Sequence, residues 1–255
     1  MAAVSIVTLT RNRPAYLPKA LRSAGTQTHP ELELVLYQDG GDPLLDYASH
    51  DVIEELEFPV IHAGHKDPPE GVARSRNAAI GMARGDAVAI LDDDDLWDPN
   101  HVAHLAGLLD RDPKVDVAYS DVRLRRENDG AERVIARDFD LEVFSKDDYI
   151  PPSSMVVRRS AFERFGLFDP EFTCSEDWDW LMRVVRGGGV IARDPGITAT
   201  VLIHDGAQSS IPPDRLELRK RELQMLRDRY GLGPITPKTF WEVAETVCPG
   251  SVTTS

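Results

Sequence analysis

The 255-residue sequence holds only two cysteines, Cys174 and Cys248, and no CxxC pair. That scarcity excludes a disulfide framework and a thiolate zinc site, and it fits a reducing compartment. Long apolar runs are missing as well. The longest, "VSIVTL" at 4–9 and "AVAIL" at 87–91, fall far short of the ~20 residues of a membrane-spanning helix, and no charged start followed by an apolar stretch marks a signal peptide. A soluble chain folding as one unit in the cytoplasm is therefore expected. Surplus positive charge is also lacking. A net charge of -14 repels a phosphate backbone, so nucleic acid is not an expected partner. The exception is 215–230, "RLELRKRELQMLRDRY", with six basic residues against three acidic ones on a helix-length pattern. That helix is a candidate for contact at a membrane surface or with another protein, although its Leu216, Leu223 and Leu226 also suit packing on the core. Self-association stays open.

What is present alternates. "VSIVTLT" (4–10) is β-branched and nearly all apolar, which suits a buried parallel strand. Leu17, Ala20, Leu21 and Ala24 then recur at helical spacing up to Gly25. A second strand, "LELVLYQ" (32–38), follows and is broken by "DGGDP". The order continues with a helix around 44–57, a strand at "FPVIHA", a helix across "GVARSRNAAIGMARG" and the strand "DAVAIL". Strand, helix, strand in this rhythm predicts an α/β fold with a parallel sheet. Asp98 is placed to cap the next helix, with Pro99 in its first turn. Beyond about residue 115 shorter strands take over, with a helix at 177–186 and a last strand at 197–204, an α+β half built onto the first. "CPGSVTTS" reads as a disordered tail.

Four consecutive acids, Asp92 to Asp95 in "AILDDDDLW", close the strand at 86–91. Two carboxylates ~4 Å apart repel by about 4 kcal/mol at an effective dielectric near 20, so these side chains must be solvated, splayed or bound to a cation. Ligands of open α/β sheets bind at strand carboxyl ends, which favours a site. On a strand end residues i and i+2 share a face, so Asp92 and Asp94 point together while Asp93 and Asp95 point away. Hard oxygen ligands suit Mg²⁺ or Mn²⁺. A solvated acidic turn is the plain alternative.

Six segments carry a resemblance: "VSIVTLTRNRPAYLPKALRSAGTQT", "LELVLYQDGG", "GVARSRNAAIGMARGDAVAILDDDDLW", "FGLFDPEF", "SEDWDWLMR" and "VLIHDGAQSS". In this order the chain resembles the GT-A fold glycosyltransferases of family 2, over roughly 4–205. The resemblance implies a mostly parallel, Rossmann-like central sheet flanked by helices, with a donor-binding half at 1–118, a smaller α+β acceptor half at 119–210 and a helical extension and tail at 211–255. It implies sugar transfer with inversion from a nucleoside-diphosphate sugar, UDP first and dTDP second, to an acceptor hydroxyl. Asp94 becomes the first metal ligand for Mn²⁺ or Mg²⁺, with Asp92 and His204 as further ligands. Asp92 and Asp93 stand near the ribose or the metal's waters, and Thr8, Thr10, Arg11, Asp39 and Arg76 line the nucleotide. Asp177, beside Glu176, is the catalytic base, and Asp169 is a candidate polar contact for the acceptor.

Plain readings stand beside these. "DGG" is good turn chemistry, so Asp39 can be a turn-former. Acidic residues favour helix amino termini, so Glu176 and Asp177 can serve the dipole of a helix capped by Ser175 and striped by Trp178, Leu181, Met182 and Val185. Gln38 and Arg11 depart from the family's usual aspartate and aromatic, although a guanidinium also stacks on a base. Asn77 completes the Arg-Asn pair, and Arg74 reads as solvated. His62, His65, His101 and His104 read as surface residues. Two rival functions remain: a non-catalytic domain that binds a nucleotide sugar or glycan, and a sugar-phosphate nucleotidylyltransferase. The second requires a glycine-rich loop after the first strand, where "TRNRPAYL" has no glycine.

Overall fold

The computed structural model describes residues 2–41, 47–64, 67–204, 215–250 and 252–253. His65, the start of the helix expected at 44–57 and the part of "VLIHDGAQSS" after His204 lie outside the described residues. Strand β1 (Val4–Thr10) is buried along almost its whole length, as an unalternating apolar run requires. It lies between β2 (Leu32–Gln38) and β4 (Ala87–Ile90), and β3 (Val60–Gly64) continues beyond β2, all parallel. Helices α1 (Leu17–Gly25), α2 (Tyr47–Glu55) and α3 (Val72–Met82) make the crossovers. The stripe of α1 is buried at Leu17, Ala20, Leu21 and Ala24. Parallel strands bring their carboxyl ends to one edge, so the loops after Thr10, Gln38 and Ile90 meet there.

After the short β5 (Leu96–Trp97) and helix α4 (His101–Arg111), the sheet is extended by β6 (Val115–Arg126). Strand β7 (Glu132–Ile135) pairs with β6, and β8 (Met155–Arg158) fills the gap between β4 and β6, both antiparallel. The long β9 (Val190–Ile203) runs parallel to β6 and antiparallel to β5. One α/β sheet, mostly parallel by paired length and flanked by helices, thus runs through both expected halves. Helices α5 (Leu141–Phe144), α6 (Arg159–Phe165), α7 (Glu176–Arg186), α8 (Leu216–Tyr230) and α9 (Phe240–Val247) complete the chain with strand β10 (Val252–Thr253). Strand β10 pairs antiparallel with β7, so part of the expected tail is a strand.

Three local expectations change. Asp98 does not cap α4, which begins at His101; Gln27 Oε1 instead accepts from the Val102 amide at 3.0 Å. His101 is fully buried, stacked on Trp97 at 4.6 Å with Nδ1 2.8 Å from Thr198 Oγ1, because β9 covers α4 there. His62 and His104 are exposed as expected. Helix α7 is buried beyond one stripe: Val185 is half-buried, while Asp179, Trp180 and Val184 are buried with Trp178, Leu181 and Met182. Asp179 is covered by α8, whose Arg229 and Tyr230 donate to its carboxylate at 2.8 and 2.7 Å while Leu223 and Leu226 enter the core, and Trp180 packs on Phe162 and Phe168 at 4.8 and 5.6 Å. Asp169, the candidate polar contact for the acceptor, pairs with the same Arg229 at 2.7 Å.

Candidate active site

Over the carboxyl ends of β1, β2 and β4 opens a cavity of about 530 Å³, within the ~300–1,000 Å³ usual for small-molecule sites. Its walls join distant segments. The first half contributes Thr10, Arg11, Arg13, Asp39, Arg76 and the run 92–95; the second contributes Asp148, Glu176 and Asp177; α8 and the approach to α9 contribute Arg219, Lys238 and Phe240.

The acidic run does not continue the strand. The Asp95 amide donates to the Asp92 carbonyl at 3.1 Å, closing a turn that ends the two-residue alternation. Asp92 consequently faces Arg76, with Nη2 3.0 Å from its Oδ1, whereas Asp93 and Asp94 both face Arg13. The grouping of Asp92 with Asp94 against Asp93 is thereby replaced. Asp95 turns inward, accepting from the Leu202 amide at 3.1 Å, and burial lifts its pKa well above the carboxylate range. Burial and the neighbouring Asp94 push Asp93 up to about 7. Burial also pushes Asp94 upward, but the hydrogen bond from His204 Nε2 at 3.0 Å and the Arg13 charge outweigh it, leaving Asp94 below its ordinary value. Asp94 is thus the member of the run whose pKa is lowered. His204 is fixed further by stacking on Tyr16 at 4.4 Å.

Arg76 carries the connection between the halves. It is 2% exposed, and its Nη1 donates to Glu176 Oε1 at 2.8 Å while Nη2 holds Asp92. Glu176 Oε2 is buried without a partner among the described residues, and burial together with Asp177 pushes this carboxyl up to about 7. Asp177 lies half-buried on the cavity wall, its Oδ1 accepting from the Trp178 amide at 2.8 Å. Burial and then the charge of Asp148 push it up to about 7. A carboxyl poised near neutrality in a cleft is suited to moving protons.

The remaining named residues divide. Thr10 and Arg11 line the cavity, whereas Thr8 is fully buried, its hydroxyl without a partner among the described residues, and does not line it, because the buried body of β1 encloses it. Asp39 also lines the cavity, with both carboxylate oxygens accepting from the Glu70 and Gly71 amides at 2.8 and 3.0 Å. Asn77 clamps Phe168 through two backbone hydrogen bonds of 2.8 and 2.9 Å, and Arg74 is exposed. Sequence reasoning missed Arg13 and Asp148. Arg13 lies inside "TRNRPAYL", two residues beyond Arg11, and a cation there was the signal; Asp148 opens "DYIPPSSMVV" (148–157), a segment that the family resemblance gives to the acceptor pocket without singling this residue out.

A divalent cation fits part of this set. Asp94 Oδ2 and His204 Nε2 meet at 3.0 Å and Arg13 pairs with the same oxygen, so an ion taking both atoms as ligands would displace these contacts. Among the described residues no cluster of three or more His, Cys, Asp or Glu forms a protein-only cage. Metals of the Mg²⁺ type use one or two carboxylates and complete their shell from substrate phosphates.

The family model described as glycosyl transferase family 2 matches residues 5–166. The chain belongs to that family and is a glycosyltransferase. It is 28% identical over 247 residues to YwdF, an uncharacterized glycosyltransferase of Bacillus subtilis (strain 168), covering 93% of this chain and 87% of that one. Against a PGL/p-HBAD biosynthesis glycosyltransferase of Mycobacterium bovis (strain BCG / Pasteur 1173P2) it is 29% identical over 194 residues, covering 74% and 72%. Among solved structures, S. aureus TarS 1-349 in complex with UDP-GlcNAc superposes with a TM-score of 0.71 at 16% identity, over 96% of this chain and 71% of that one. The mannosyltransferase PcManGT from Pyrobaculum calidifontis, in complex with GDP-Man and Mn²⁺, superposes with a TM-score of 0.68 at 18% identity, over 96% and 68%. These likenesses show the GT-A fold. No described helix is long and apolar enough to cross a membrane.

Proposed function

We propose that the chain moves a sugar, with inversion, from a nucleoside-diphosphate sugar to an acceptor hydroxyl, with UDP the favoured carrier and dTDP the second. The observation that carries this reading is that Asp177 and the 92–95 turn line one cavity, with Arg76 linking Asp92 to Glu176 beside Asp177. Asp177 takes the acceptor proton as the hydroxyl oxygen bonds to the anomeric carbon, and the bond from that carbon to the diphosphate oxygen breaks. General-base help of this kind is worth about 10² to 10⁴ in rate.

The leaving diphosphate gains negative charge, and Arg76 and Arg13 stand where cations would offset it. Asp94 and His204 would hold Mn²⁺ or Mg²⁺, with Asp92 close by, and the metal's contribution when bound is Lewis-acid stabilisation of the leaving group. Thr10, Arg11 and Asp39 face the nucleoside. The same reading assigns the donor to 1–118 and the acceptor to 119–210. Helix α8 packs on α7 and lines the cavity, which favours a part in the acceptor wall over docking at a membrane.

The test is thermal stability against UDP, dTDP, GDP, ADP and CMP, each with Mn²⁺, with Mg²⁺ and with EDTA, followed by release of the matching diphosphate from its sugar conjugates. One nucleotide giving a metal-dependent shift, with sugar release, is expected. Binding without any release would favour the non-catalytic reading, and no shift at all would remove the donor site.

A further inference from the structure

Glu222 lies on α8, outside the segment 5–166 that the family model matches. It is 1% exposed and forms no ion pair among the described residues, a costly setting for a carboxylate unless hydrogen bonds replace its water. They do. Its Oε1 accepts from the Thr173 amide at 2.7 Å and from Thr173 Oγ1 at 2.5 Å; its Oε2 accepts from the Cys174 amide at 3.0 Å and from Ser175 Oγ at 2.9 Å. A carboxylate has about four acceptor sites, and all are spent on three consecutive residues that lead directly into Glu176 and Asp177.

One helical turn away, Arg219 donates to the Cys174 carbonyl and, at 2.6 Å, to Ser175 Oγ. Both backbone polar groups of Cys174 are therefore held by α8. Ser175, which the sequence places as the cap of α7, makes no capping bond, because its hydroxyl is turned to Glu222. At the far end of α8, Arg229 and Tyr230 grip Asp179, a second anchor on the same helix. Two grips on one helix fix both its axial position and its rotation. The segment so held is the cavity wall itself, since Thr173, Cys174, Glu176 and Asp177 all line it.

We propose that Glu222 is the positioning residue for the acidic pair: through Thr173, Cys174 and Ser175 it sets where the Asp177 carboxylate stands toward the acceptor hydroxyl. Helix α8 is then part of the catalytic apparatus. This rests on Asp177 being the base, and the experiment separates the two ideas.

The full chain is compared with Glu222→Gln, which offers N–H groups where two donors expect an acceptor, and with Glu222→Asp, which keeps the charge but withdraws it. Four readouts are taken: melting temperature, UDP affinity with Mn²⁺, turnover of UDP-glucose and UDP-N-acetylglucosamine, and amide hydrogen exchange over 173–178. In both variants kcat should fall by about 10²-fold, the cost of a misplacement near 1 Å, while UDP affinity and donor KM hold and exchange quickens over 173–178. Parent-like kcat, or parent-like exchange over 173–178, overturns the proposal. Equal losses in UDP affinity and kcat also overturn it, since they mark general unfolding. Should Glu222→Gln not fold, Glu222→Asp decides alone. A parent that binds UDP but turns over no donor defeats the functional reading, and exchange over 173–178 still decides whether Glu222 holds the segment.

Discussion

Arg76 and Glu176, 100 residues apart in sequence, meet in a 2.8 Å hydrogen bond between side chains that are 3% and 4% exposed. Because Arg76 also holds Asp92, this contact ties α3, the acidic turn and the start of α7 into one unit. Removing one partner of a buried pair typically costs about 3–5 kcal/mol. Arg76→Met should therefore lower the melting temperature by several degrees at pH 8, at about 2–4 °C per kcal/mol for a chain of this size. The deficit should shrink toward pH 5, where a protonated Glu176 no longer needs a cation. Scanning calorimetry at the two pH values checks this, and a deficit independent of pH would show that the ion pair is not its cause.

Asp177 carries the next expectation. Its pKa is raised to about 7 by burial and by Asp148, and only the ionised form accepts a proton. The kcat/KM of the free enzyme should rise as pH increases through about 7 and level off above it, with the limb belonging to the coupled carboxyls as a group. Asp177→Asn should keep UDP binding and lose transfer by about 10² to 10⁴. Parent-like transfer in Asp177→Asn would remove Asp177 from the role.

How much of this was legible in the sequence depended on range. The stripe of α1 and the buried run of β1 were readable because each is set by neighbours within a few residues. The acidic cluster was placed correctly at a strand end, but its side-chain directions were not, since the Asp92–Asp95 turn bond ends the alternation on which they were reasoned. Contacts between remote elements were invisible. Ser175 looked like a cap because its consumer, Glu222, lies 47 residues away on another helix, and His101 looked exposed because Thr198 lies 97 residues further along. Asp148 was legible only as the first residue of a segment expected at the acceptor pocket, and its place beside Asp177 comes from the fold.

His101 gives a stability prediction of defined sign. Burial lowers its pKa from an ordinary 6.5 to about 3. Between those values the unfolded chain binds the proton and the folded chain does not, so this contribution is complete above pH 6.5 and is lost as pH falls toward 3. His101→Gln lacks that slope. The stability gap between parent and variant, measured by urea denaturation, should narrow from pH 7 to pH 4.5 by up to about 1.4 kcal/mol per pH unit. A constant gap would mean that His101 is not held neutral in the fold.

Asp94 tests the role of a metal, because Arg13 and His204 converge on its Oδ2. A nucleotide at about 100 times its Kd adds about 2.7 kcal/mol to the native state, and two sources of positive charge can contribute to that binding. Arg13 and Arg76 are permanent, whereas a divalent cation is removable. EDTA should therefore reduce the UDP-induced rise in melting temperature without abolishing it, and should abolish transfer. Asp94→Ala should show the EDTA-like shift even with Mn²⁺ present, since the ligand held ionised by His204 and Arg13 is gone. Full transfer in EDTA would instead mean that the arginines alone carry the leaving diphosphate, and the assignment of Asp94 and His204 to a metal would fall.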